Sequence, residues 1–242
     1  MTPSNDVYAT TYRTEGHHQR NPVRYGRDEV HAVLAEGYIC HVGFQYTPKD
    51  SKFAPYTAVT PTLYGFKDEV LYLHGATGTE WRLYDMATRA KEGADVCLTV
   101  SLVQSLVLGP TALHHAVDYR SVVVYGKAVP VTDTAAKRDA LRIVMDQVIP
   151  GRWSDTTPPT DAELAFTGVL RIDVKEASVK SRTGFALEAA KCGVDHESSA
   201  NDSAWQGQLP VQEVYGPPIN DRAVPPTTPT PDYVKYYHRP KP

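Results

Sequence analysis

Arg120 and Ser121 stand at the mouth of an apolar run in the stretch HHAVDYRSVVVYG (114–126), and His74 leads into a glycine-rich corner in YLHGATGTE (72–80). A guanidinium at a strand mouth is a fork for a carboxylate or phosphate, because its planar N–H donors match two oxygens at once. The corner is a second anion device. It passes from an apolar strand to a helix start, where unbonded N–H groups and the positive end of the helix dipole face outward. Gly75, Ala76 and Gly78 leave room for close approach to the backbone, Thr77 and Thr79 offer hydroxyls, and Arg82 can fold back over the corner. Glu80 opposes a phosphate there by its charge. His74 is a candidate proton donor. Two such corners can hold an anionic aromatic cofactor. Each also has a role that needs no ligand: Thr77 and Glu80 fit a T-x-x-E capping box, Arg120 can pair with Asp118, and a strand-end histidine can simply be hydrogen-bonded in place.

Other chemistries have little support. His114 and His115 are adjacent, so in a strand they face opposite ways and share no metal. HExxH, Walker, GxSxG and GxGxxG patterns are absent from the sequence. Three widely spaced cysteines without CxxC spacing argue against a disulfide framework or a zinc site, and point to a reducing cytoplasmic setting. A net charge of -3 with no basic run makes nucleic acid a poor partner. Apolar runs are too short to cross a bilayer as helices.

The elements that must position these residues are mostly strands. Residues 26–37 carry Val30, Val33 and Leu34 at helical spacing. Residues 38–44 and 55–66 read as strands, with Pro61 demanding an edge or bulge, and Lys67-Asp68 as the hairpin turn into 69–74. A helix from the Thr77 box runs to about residue 91. Strands follow over 94–107 and 118–131, then a helix over 133–148, a short helix behind a Thr160–Glu163 box, and one strand over 168–179. Nine of the nineteen prolines fall from Pro210 onward, so the end of the chain is an extended arm or is disordered. The expected division is an N-terminal arm (1–25), a mainly β barrel (26–211) and a Pro-rich tail (212–242).

The order ICHVGF, PYTAVTPTLY, LYLHGATGT, VCLTVSLVQSLVLG, HHAVDYRSVVVYGKA, PGRW, EASVKSRTG and WQGQLP resembles the pyridoxamine 5′-phosphate oxidase-related flavin-nucleotide-binding family, which includes the nitroimidazole-resistance proteins. The resemblance spans about residues 20–211. It implies a split β-barrel and a homodimer with two FMN sites across its interface. By position, Thr60, Pro61, Thr62 and Tyr64 would line the flavin ring, and the corner from His74 to Thr79 would meet the ribityl chain and phosphate. Arg120 and Ser121 would add contacts, Lys180 and Arg182 match a basic pair near the site, and Trp205 matches a tryptophan near the family's C-terminus. Glu80 stands where the family often has Arg or Lys. The function this implies is an FMN-dependent oxidoreductase acting on a small molecule, a nitroaromatic among the candidates. The alternatives are a flavin or haem binding module without turnover, and a cofactor-free structural relative.

Overall fold

The computed structural model describes residues 6–16, 22–77, 81–185, 204–225 and 227–239. The strands are β1 (Ile39–Tyr46), β2 (Tyr56–Lys67), β3 (Val70–Ala76), β4 (Ala94–Leu108), β5 (Ala116–Pro130), β6 (Thr167–Asp173), β7 (Glu176–Arg182) and β8 (Gly207–Pro210). The helices are α1 (Arg27–Glu36), α2 (Arg82–Arg89), α3 (Thr134–Val148), α4 (Asp161–Phe166) and α5 (Asp232–Lys235). Single 3-10 turns lie at Ala112–His114 and Arg152–Asp155.

All the strand pairings are antiparallel. The sheet runs β7-β5-β6-β3-β2-β1-β4-β8, and β5 also pairs with β4. That extra pairing closes β4, β1, β2, β3, β6 and β5 into a ring, with β7 and β8 added outside it. This is the split β-barrel that the sequence resemblance implies. Closure leaves few free strand edges to template further pairing. Inside lie Val42, Leu71, Leu73, Leu98, Val100, Val122, Val124, Leu170 and Ile172, all buried. Strand alternation puts their neighbours outside, which leaves Ile39, Val59, Leu63 and Val103 exposed on the outer wall.

Local chemistry accounts for most boundaries. The β2–β3 turn uses Asp68 and Glu69, with φ of 49° and 61°. Two successive left-handed residues match the right-handed twist of a hairpin, and this moves the turn one residue beyond the expected Lys67-Asp68. Thr160 and Glu163 form the expected capping box of α4. Thr77 is not the N-cap of α2. Its hydroxyl donates to Phe166 O at 3.2 Å, and α2 begins only at Arg82, after Trp81. The expected strand over 168–179 is two strands, because Val174 turns its N–H to Glu69 O at 2.8 Å and breaks the ladder. His114 and His115 end a 3-10 turn rather than open a strand. The described part of the N-terminal arm packs on the barrel through a buried Tyr8, whose hydroxyl meets His31 Nε2 at 2.8 Å. No helix among the described residues is long and apolar enough to cross a membrane.

Helix α3 lies across β2 and β3. It can approach because Gly65 has no side chain; a Cβ there would sit 2.6 Å from Val144 N. Gln147 fixes the docking. Its Nε2 shares its two hydrogens among Leu34 O at 3.0 Å, Ala35 O at 2.9 Å and Gly37 O, carbonyls at the end of α1, of which Leu34 O also accepts from the Tyr64 hydroxyl. Its Oε1 accepts from Phe66 N at 3.3 Å. Gln147→Leu keeps the bulk and removes these bonds; Leu34 O keeps the Tyr64 hydroxyl, while the part-buried Gly37 O and Phe66 N lose their Gln147 partner, at about 1–3 kcal/mol for a buried unsatisfied group. Urea unfolding is expected to show a loss of about 2 kcal/mol at unchanged m-value. An unaltered midpoint would mean that α3 is held by apolar packing alone.

Candidate functional site

His74 follows from strand alternation. Leu71 and Leu73 of β3 point into the barrel, so Tyr72 and His74 point out. There His74 and Leu63 form one wall of a cleft of about 520 Å³. The opposite wall is Leu141, Val144, Met145 and Val148 of α3, with Trp153, Thr156 and Pro159 beyond it. Glu163 reaches the rim, but its carboxylate is engaged with Thr160 of the capping box. The cleft is therefore apolar around one imidazole. Nδ1 of His74 is shielded from water and has no hydrogen-bond partner. Burial pushes the His74 pKa below the ordinary value of 6.5, so the ring is neutral at pH 7. A neutral imidazole in an apolar cleft has the chemistry to ligate a metal or to hydrogen-bond a flat ring.

Gly75, the described glycine of the corner, is covered by packing. Gly75 and Gly168 face each other in the β3–β6 ladder. The Trp81 ring lies on both, since a Cβ on Gly75 would sit 2.8 Å from it and one on Gly168 3.2 Å. Trp81 in turn stacks on Tyr84 with centroids 5.5 Å apart. The space beside Gly75 that the sequence offers to a ligand is thus filled by an indole. Ala76 is exposed, and Thr77 is bonded to Phe166. Arg82 does not fold back; its guanidinium lies over Tyr46 and Tyr56, 5.9 and 5.7 Å from their centroids. Gly78, Thr79 and Glu80 lie outside the described residues.

Arg120 is not an open fork either. It donates to Glu36 Oε2 at 2.6 Å, and the expected partner Asp118 is bonded instead to Arg182, Ser105 and Gln208. Arg182 is consequently a structural cation tying β7 to β5. Ser121 donates to Lys180 O at 3.4 Å, and no ion pair of Lys180 is found among the described residues. Tyr64 faces the barrel interior and is fully buried, its hydroxyl donating to Leu34 O at 2.7 Å. It cannot line a ligand in this state. Thr60 and Thr62 share that inward face and are half-buried, whereas Pro61 lies on the exposed outer face. Trp205 is 65% exposed.

One chain does not gather these residues into one place. Pro61 and His74 lie on the outer wall of β2 and β3. Arg120, Ser121, Lys180 and Arg182 lie on β5 and β7. No hydrogen bond, ion pair or ring contact joins His74 to the second group among the described residues. Sequence reasoning missed the α3 wall of the cleft, whose residues read only as an amphipathic helix. It also missed Glu36, for which a signal existed: a carboxylate in the last turn of a helix opposes the dipole, so it needs a cation elsewhere.

The sequence profile of the pyridoxamine 5′-phosphate oxidase family matches residues 26–181. The chain belongs to that family. Among solved structures it is similar to the flavocytochrome Anf3 from Azotobacter vinelandii, at 30% identity, covering 93% of this chain and 95% of that one, with a TM-score of 0.74. It is also similar to the FAD and heme binding protein from Mycobacterium smegmatis, at 25% identity, covering 88% and 95% of the two chains, with a TM-score of 0.70. No curated protein matched the sequence. The family profile ends before the tail, but both structural likenesses extend over most of the chain.

The buried His74 gives a pH test. Its folded pKa is lowered, so below about pH 6.5 the unfolded chain binds the proton first. Stability therefore falls as pH drops through and below that value. His31 is lowered in the same direction by burial and by Arg27. His74→Leu is expected to make the decline in stability from pH 7 to pH 5 shallower, leaving the His31 part. Melting curves across that range check this, and an unchanged slope would place His74 in a water-like setting.

Proposed function

We propose that this chain is a redox protein that carries a flavin together with a haem, the haem seated in the His74 cleft. The observation that carries the reading is the neutral imidazole with a shielded, unpartnered nitrogen in an apolar cleft. A cleft of this size lies within the roughly 300–1,000 Å³ of small-molecule and cofactor sites. Its apolar lining fits a porphyrin face, and histidine is a common axial ligand. The names of the two relatives, a flavocytochrome and an FAD and heme binding protein, support the pairing.

When bound, the flavin and haem supply the redox chemistry; the protein supplies position and electrostatics. His74 would hold the iron and the α3 wall would exclude water. The Ser121 and Lys180 edge of β5 and β7 would offer a hydroxyl and a cation to the flavin's phosphate. FMN is the flavin the sequence resemblance names, and FAD is the one named for the mycobacterial relative, so extraction of the bound cofactor decides between them. The reaction class is electron transfer or reduction of a small acceptor, a nitroaromatic being a flat ring of suitable shape. A homodimer is part of the proposal, since it is an arrangement that could bring the outer wall of one copy to the β5–β7 edge of another. Sedimentation is expected to give twice the 26.7 kDa chain mass, and a single-chain species at micromolar concentration contradicts this.

A visible spectrum of protein purified from haem-replete cells tests the pairing. Flavin bands and a Soret band are expected together, and His74→Ala is expected to remove the Soret band while the flavin bands persist. A Soret band indifferent to His74, or no Soret band in the unmodified protein, would leave the cleft to another flat ligand.

A further inference from the structure

The end of the tail fastens onto the His74 cleft from outside. The Tyr233 hydroxyl, on α5, donates to Asp155 Oδ2 at 2.7 Å and accepts from Arg152 Nη1 at 3.1 Å. Those two residues bound the 3-10 turn that carries Trp153, a wall residue of the cleft. Just beyond α5, the Tyr237 hydroxyl donates to Val148 O, the last residue of α3, where Val148 and Ile149 line the same cleft. This end of the wall has few other holds. Apart from bonds to near neighbours in sequence, the hydrogen bonds that reach residues 150–159 among the described residues come from Tyr233 and from Arg138, which donates to Pro159 O at 3.4 Å. The facing wall is different, because β3 with His74 is laddered between β2 and β6.

The tail that supplies these holds is itself lightly attached. None of the residues 204–225 and 227–239 is buried. Strand β8 pairs along β4, and Val211 N follows it onto Gln104 O at 2.8 Å. Next, Glu213 accepts from the Tyr38 hydroxyl at 3.1 Å and pairs with Arg239, which lies 4.9 Å over the Tyr38 ring. Between these anchors and the barrel lies a cavity of about 1000 Å³ lined by Gln104, Arg120 and Arg239. A segment held by exposed hydrogen bonds with no buried apolar anchor opens locally far more readily than the barrel does.

We infer that the tail is a clasp on the His74 cleft. With Tyr233 and Tyr237 seated, the Trp153 turn is held against α3 and the cleft is closed at that end. With them released, the turn swings out and the end opens. The two tyrosines are positioning residues, acting on the cleft through the backbone and side chains of 148–155. By linkage, a ligand that prefers the closed cleft holds the tail down, and the seated tail tightens that ligand in turn.

Tyr233→Phe combined with Tyr237→Phe removes the hydroxyl bonds and keeps both rings. The chain has three tryptophans, Trp81, Trp153 and Trp205, so fluorotryptophan labelling gives separate fluorine signals, and Trp153→Phe identifies the one that matters. In ligand-free protein the double variant is expected to move the Trp153 signal toward its unfolded position, while Trp81, packed on Gly75 and Gly168, stays in place. An unmoved Trp153 signal overturns the clasp, and so does equal movement of Trp81, which reports general loosening. In the unmodified protein, urea below the unfolding transition is expected to shift Trp153 and to speed tryptic cleavage after Lys235 with one shared dependence. Separate dependences overturn the clasp, whether or not the double variant folds. The coupling to a ligand rests on the haem reading above and is probed with zinc protoporphyrin. It is expected to slow cleavage after Lys235 roughly tenfold and to bind the double variant roughly tenfold more weakly. A porphyrin that binds and leaves the cleavage unchanged overturns the coupling. A porphyrin that does not bind defeats the haem reading instead, and the fluorine and urea results still decide the clasp.

Discussion

The whole arrangement depends on β5 being bonded along both edges. Residues 116–128 pair with β4 on one edge, while on the other edge residues 119–125 pair with β7 and the last two, Val129 and Pro130, pair with β6. That switch of partner turns an open sheet into a closed ring. Pro130 can end the strand there because it has no N–H to leave unpaired. Closure fixes which side chains are inside, and inside is full: Val122, Val124, Leu98, Leu71 and Leu73 leave no room for a cofactor. Any ligand must therefore sit on the outer wall or under the appended segments, where His74 and the Arg120 cavity are found.

The appended segments make the two places what they are. Helix α3 turns the exposed outer wall of β2–β3 into a cleft, and Gly65 and Gln147 hold it there. The tail does the same for β4–β5. It also ties the two together: Tyr237 donates to Val148 O at the end of the cleft wall and packs edge-on against Tyr215, 4.5 Å between centroids, while Tyr233 donates to Asp155 Oδ2 at 2.7 Å. A Pro-rich segment can do this without regular structure because a few long polar side chains anchor it. Between those anchors the arm stays exposed, Ile219 at 94%.

Much of this was legible in the sequence. Val30, Val33 and Leu34 are the buried face of α1, and the capping box at Thr160 holds. The strands were readable from alternation, and the split barrel from the order of the motifs. Site chemistry was less so, because residue type does not say which partner wins. Gly75 was open space until Trp81, six residues on, was placed on it by the fold. Arg120 was an anion fork until Glu36, 84 residues away, reached it. Tyr64 was a flavin contact until strand parity turned it inward to Leu34. Parity turns His74 outward into the α3 cleft, where its Nδ1 has no hydrogen-bond partner.

The central proposal is that His74, lining the α3 cleft, would hold a haem iron. A crystal structure of the protein loaded with flavin and haem tests it most directly. The account predicts iron bonded to a ring nitrogen of His74, with the porphyrin between the β2–β3 wall and α3. Iron bound elsewhere, with His74 hydrogen-bonded to protein or water, would contradict it.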